Sequence, residues 1–73
     1  MTLFDSPNDD GMITAINGDA ETHRRLVDLG LLNARYRIKA RRKSAVCVYF
    51  ENGVHGFCAV VEAEIAKRLG VER

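Results

Sequence analysis

Asn52-Gly53 sits between two runs of apolar residues, Ala45 to Phe50 and Phe57 to Val61, and constrains this chain more than any other feature. Asn-Gly is the strongest short hairpin signal, because both central positions of a type I′ turn need positive φ. A two-residue turn there pairs Val46 with Ala59, Val48 with Phe57 and Phe50 with His55. Val46, Val48, Phe57, Ala59 and Val61 then share one face, so two apolar sets coincide.

The preceding segment, Arg35 to Lys43, alternates. Tyr36, Ile38 and Ala40 lie on one side and Arg35, Arg37, Lys39 and Arg41 on the other, as in a half-buried strand with a charged face. Arg42, Lys43 and Ser44 turn the chain into the hairpin. Upstream, Gly11 to Asn17 reads as a strand, although Ile13 and Ile16 have opposite parity, and Asn17-Gly18 reads as a turn. Asp19 is placed to cap a helix over about 20–29, with Glu21 favourable to its dipole, Leu26 and Leu29 on its buried stripe, and Gly30 ending it. A shorter helix is expected over about 62–69, ended by Gly70, before Val71 begins a last pairing. These elements predict a mainly β fold: a small SH3-like barrel of five or six short antiparallel strands with one substantial helix, occupying 11–73. Closure would remove edges that a small sheet otherwise exposes.

Residues 1–10 hold Asp5, Asp9 and Asp10 and no base, and read as a flexible acidic leader. Folding back of Leu3 and Phe4 as an apolar latch is the alternative to fraying. The remainder sets eleven Lys and Arg against seven acids, a mild basic excess short of what a dedicated DNA binder carries. The longest apolar run has six residues, where a membrane span needs about 20. The acidic start is unlike a secretory signal, so a cytoplasmic location is expected.

Within the same chain, Leu26-Val27-Asp28-Leu29-Gly30-Leu31, the valine-rich hairpin and the closing Ala66, Leu69 and Val71 form an ordered set that resembles the FeoA-like family of bacterial and archaeal ferrous-iron uptake. The similarity spans about residues 11–72. Two positions depart from the pattern: Asn33-Ala34 stands where the family has Pro-Gly, and Val61 where it has leucine. The resemblance implies an SH3-like core domain acting as an accessory protein. Its implied partner is the cytosolic part of a membrane Fe²⁺ transporter of the FeoB-like GTPase type, which it binds and regulates. A similar module closes some metal-dependent transcription regulators, so an SH3-like metal-regulatory module is an alternative, as is a nucleic-acid-binding small barrel.

No catalytic constellation is visible. The two serines fall in the leader and a turn without His-Asp company, and Gly53 to Gly56 lacks the lysine and helix start of a phosphate loop. Cys47 and Cys58 would face each other across the hairpin with Cα atoms about 5.5 Å apart. Packed thiols are the first reading, with a reversible disulfide or metal ligation as alternatives. His55 and the two cysteines are weak metal candidates. His55 falls on the opposite face from the cysteines, and no third cysteine is present, so Fe²⁺ or another divalent ion finds little support in ligand spacing and no cofactor is required. His23, on the helix, reads as a surface residue. Arg35, Arg37, Lys39 and Arg41 form the candidate docking row, suited to an acidic patch or an anionic membrane surface. Only Tyr36 and Tyr49 are available to interleave with the basic residues, and Tyr36 lies on the apolar face of its strand, so nucleic acid is not the expected partner.

Overall fold

A computed structural model describes residues 1–53 and 55–72. Five antiparallel strands form one sheet: β1 (Asp10–Ile16), β2 (Arg35–Arg41), β3 (Ala45–Glu51), β4 (Gly56–Glu62) and β5 (Leu69–Glu72). Helix α1 (Ala20–Asp28) links β1 to β2, and a single turn, α2 (Ala63–Ala66), links β4 to β5. The order across the sheet is β4-β3-β2-β1-β5. The sheet curls over one apolar face, in keeping with a small SH3-like domain. Phe50, Leu3, Ile13, Leu69, Val46 and Val48 are the largest side chains fully withdrawn from solvent.

The α1 segment agrees closely with its sequence signals. Asp19 Oδ1 accepts the Thr22 amide at 2.7 Å, which holds the Asp19 carboxyl below the ordinary aspartate range. The hydrogen bond favours the charged form, so the cap is at full strength above that range and fades as pH falls through the lowered folded value. In an acid titration the Thr22 amide resonance should therefore shift with a midpoint below that of an unstructured aspartate. An ordinary midpoint would mean the cap is not formed.

At its other end, α1 closes with two reversed bonds: the Gly30 amide donates to Val27 O at 2.9 Å and the Leu31 amide to Leu26 O at 3.3 Å. Gly30 sits at φ 81°. This is the Schellman arrangement, whose apolar contact joins the residues flanking the reversal. Hence Leu26 and Leu31 are buried, whereas Leu29, expected on the buried stripe, is 59 % exposed. Asn33, in the family pattern's Pro-Gly segment, takes φ 65°.

Two bulges change the parity of their strands. In β1 the register against β5 shifts between Ile13 and Ala15, so Ile13 faces Val71 and Ile16 faces Leu69, both inward. In β2 it shifts between Ile38 and Ala40, so Ala40 faces Cys47 and Arg41 faces the buried Val46. Lys39 is the extra residue. Arg41 is thereby carried to the core side of the sheet and Ala40 to the outer side, reversing the strict alternation expected for them.

The hairpin forms at the expected place with a different apex. The Asn52 amide donates to His55 O at 3.1 Å, and Asn52 Oδ1 accepts the His55 amide at 3.2 Å. Gly53 alone of the Asn-Gly pair takes positive φ (97°). The asparagine spends its side chain on closing the loop and does not enter the left-handed region, so the turn advances by one residue. Val46 therefore pairs with Val61, Val48 with Ala59 and Phe50 with Phe57. The shift moves each partner by two residues. An even slip keeps every side chain on its face, which is why the apolar sets still coincide.

The expected 62–69 helix contracts to the one turn of α2. Leu69 is needed beside Ile16, and tertiary pairing overrides the helical spacing. Gly70 lies within β5, opposite Ala15.

Residues 1–10 are not a loose leader. Leu3 is fully buried, Thr2 bridges Gly70, and Leu3 and Val71 exchange backbone bonds with Leu69 and Met1 at 2.8 and 3.1 Å. Residues 1–3 therefore run along β5 and cover that edge. Arg41 fastens the rest of the segment: its guanidinium donates to Ser6 O at 2.9 Å and Asn8 O at 3.0 Å, with longer contacts to Leu3 O and Phe4 O. Lys67 Nζ lies 5.1 Å over the Phe4 ring. Two large apolar side chains and one arginine outweigh the turn-forming composition of the segment.

Candidate functional site

On the outer face of the sheet, Arg35, Arg37, Lys39 and Tyr49 line an open depression of about 460 Å³ whose rim includes Asp10 and Glu51. Its construction comes from the pleat. Arg35 and Arg37 alternate with the buried Tyr36, and the Lys39 bulge adds a third cation to the same side. Tyr49 stands directly opposite Arg37. Its ring lies over Gly56: a methyl at that glycine would overlap the tyrosine, and the missing side chain lets the phenol lie flat along the sheet.

The electrostatics are mixed. Glu51 is the cross-strand partner of Arg35, and Asp10 that of Arg37. Such facing opposite charges attract modestly at a solvated surface. Lys39 has no acidic residue facing it in the ladder, and the adjoining turn adds Arg42 and Lys43, both exposed. The positive potential is therefore centred toward the β2–β3 turn.

Of the four expected docking residues, Arg35, Arg37 and Lys39 come together on this face. Arg41 does not belong with them. Beyond the bulge it points to the core side, where five polar groups of residues 3–9 engage it, including Asp9 Oδ1 at 3.6 Å from Nε. Its role is structural. Nothing in the sequence hints at this, since Arg35 to Arg41 alternates regularly and alternation alone does not locate a bulge.

Cys47 and Cys58 are not opposite one another. Cys47 faces Val60 and Cys58 faces Tyr49, so the cysteines are diagonal neighbours on the outer face, both as free thiols. A diagonal pair in an antiparallel ladder is typically about 7–8 Å apart, beyond ordinary disulfide reach. His55 is exposed in the turn, and His23 is exposed on α1. Among the described residues, no three His, Cys, Asp or Glu side chains gather as a metal site would require.

A second concave surface has no counterpart in the sequence reading. Leu29, Val60, Ile65, Phe57 and Ala59 line an apolar groove of about 320 Å³ along β4, between the end of α1 and α2. Leu29 and Val60, 59 % and 72 % exposed, form its lips. Nothing local marks it, since each residue alone reads as core. Among the described residues, no helix is long and apolar enough to cross a membrane.

Compared with protein-family models, with curated proteins and with solved structures, the chain matches none.

Proposed function

We propose that this chain is a non-catalytic docking module, a cytosolic accessory of ferrous-iron uptake that binds and regulates the cytosolic part of a membrane Fe²⁺ transporter of the FeoB-like GTPase type. The observation carrying the docking role is the exposed cationic face of Arg35, Arg37 and Lys39 around Tyr49, which no described residue of this chain covers. Three convergent cations beside a flat phenol suit an acidic protein surface. Charge sets approach and register, and the aromatic supplies contact area at little entropic cost. The iron assignment rests on the FeoA-like pattern. Its Leu-Gly-Leu exit here makes a Schellman turn that delivers the chain from α1 into β2, the strand bearing the docking cations.

Such a role needs no bound group, and the accessory would act by shifting the transporter between states for which it has different affinity. Reversing the row in the triple variant Arg35→Glu, Arg37→Glu and Lys39→Glu is expected to weaken binding to the transporter's soluble GTPase domain at least tenfold. It should also flatten the salt dependence of the association rate. Both are measurable by surface-based kinetics at several ionic strengths. Unchanged binding by a folded triple variant would remove this face as the docking surface. Stronger binding of the wild-type chain to an oligonucleotide than to the domain would replace the reading with nucleic-acid recognition.

A further inference from the structure

The sheet has two ends, and the chain treats them differently. At β5 the edge is covered by residues 1–3. At β4 it is not: this strand pairs with β3 alone. The ladder bonds fix which backbone groups are spare. Asn52 with His55 and Ser44 with Ala63 are hydrogen-bonded pairs, so by alternation 50/57, 48/59 and 46/61 are as well. The amides and carbonyls of Gly56, Cys58 and Val60 therefore point away from β3. Among the described residues, no backbone bond meets them.

An exposed edge of this kind is normally blunted by lysine, proline or a bulge. The stretch Gly56 to Val61 has no charge and no proline, and the seven pairings of β4 with β3 run without a shift. Alongside that edge lies the apolar groove lipped by Leu29 and Val60. A strand added to β4 would find backbone partners at Cys58 and Val60. Its alternate side chains would enter the groove toward Leu29, Phe57 and Ile65. Bare edge and adjacent pocket are the two halves of β-strand addition, the first giving affinity and the second specificity.

Charge names the occupant. Asp28, Glu62 and Glu64 are exposed, and each lies in the groove wall or next in sequence to a wall residue. The one base so placed, Arg25, is engaged by Glu21 at 3.1 Å. A second copy of this chain laid antiparallel along β4 would bring two acidic rims together. We infer that the free edge of β4, with the groove beside it, binds an extended segment of a partner protein whose apolar residues alternate and whose flanks carry lysine or arginine. The inference uses a different strand from the cationic face and does not depend on the ferrous-iron reading.

The test uses the full chain and two labelled nonapeptides of common core, Lys-Lys-Val-Thr-Val-Thr-Val-Lys-Lys and its counterpart with glutamates at the four flanking positions. By fluorescence anisotropy the lysine-flanked peptide is expected to bind at least tenfold tighter. On binding, the Cys58 and Val60 amides should gain protection from hydrogen exchange. Val60→Pro removes one outward amide without touching the β3 ladder, and prolines are tolerated at that side of an edge strand. It should lower affinity at least tenfold. Leu29→Ser, at an exposed position the fold does not need, should lower it several-fold and keeps the test sound if the proline variant misfolds. Failure of the wild type to bind either peptide would overturn the inference. So would undiminished binding by Leu29→Ser, or protection that appears elsewhere. Concentration-dependent protection of Cys58 and Val60 without peptide would assign the edge to a second copy instead.

Discussion

Leu3→Ala is expected to cost about 2–5 kcal/mol of unfolding free energy, the range for emptying a fully buried leucine site. The side chain is completely withdrawn from solvent, packed with the core near Leu69 and Ile13. A single core in a domain this small rarely supplies more than about 5 kcal/mol, so the variant should be largely unfolded at 37 °C. Urea denaturation tracked by circular dichroism measures it, with an unchanged slope showing that stability moved and not compactness. Arg41→Met is the companion. It keeps the stem but removes the donors to four carbonyl oxygens of residues 3–8, and should cost about 1–3 kcal/mol. Both changes act on one segment, so the double variant should lose less than the sum. If residues 1–10 were a free leader, neither substitution would register.

That segment also marks the limit of local sequence signals. The strands, the capped helix and the pairing of apolar faces were legible because each is a local period or a turn residue, and such signals agree with one another. Residues 1–10 were legible only as the lesser alternative, an apolar latch of Leu3 and Phe4. Their composition is that of a turn, and the gain that orders them comes from a cavity assembled by residues tens of positions away. The two bulges fail in the same way. Ile16 breaks the alternation of β1 and Arg41 keeps that of β2, and in both strands only the partner decides which residue is extra.

The docking face is a partial case. Arg35, Arg37 and Lys39 stood out as a charged row, and their convergence is a consequence of strand geometry. Their neutralising neighbours, Asp10 and Glu51, lie on other strands and emerge only from the register. The groove at β4 was invisible for the opposite reason. Its members are apolar residues that any sequence argument assigns to the core, and they are exposed because the sheet ends there.

Phe50→Ala carries the second large effect, about 3–5 kcal/mol, as the largest side chain fully enclosed in the core. Its more discriminating use is in a pair. Phe50 and Phe57 are cross-strand partners with ring centroids 5.4 Å apart and planes tilted by 35°. Contacts of this kind contribute about 0.5–1.5 kcal/mol beyond the area they bury. A double-mutant cycle of Phe50→Leu with Phe57→Leu, conservative enough to keep both variants folded, should return a coupling of that size. The cycle of Phe50→Leu with His55→Ala should be additive to within about 0.5 kcal/mol. The register expected from Asn-Gly alone demands the reverse, because it sets Phe50 against His55. Coupling to His55 in place of Phe57 would return the two cysteines to opposite positions. It would also send the spare amides of β4 to different residues, and with them the edge on which a partner strand is expected to dock.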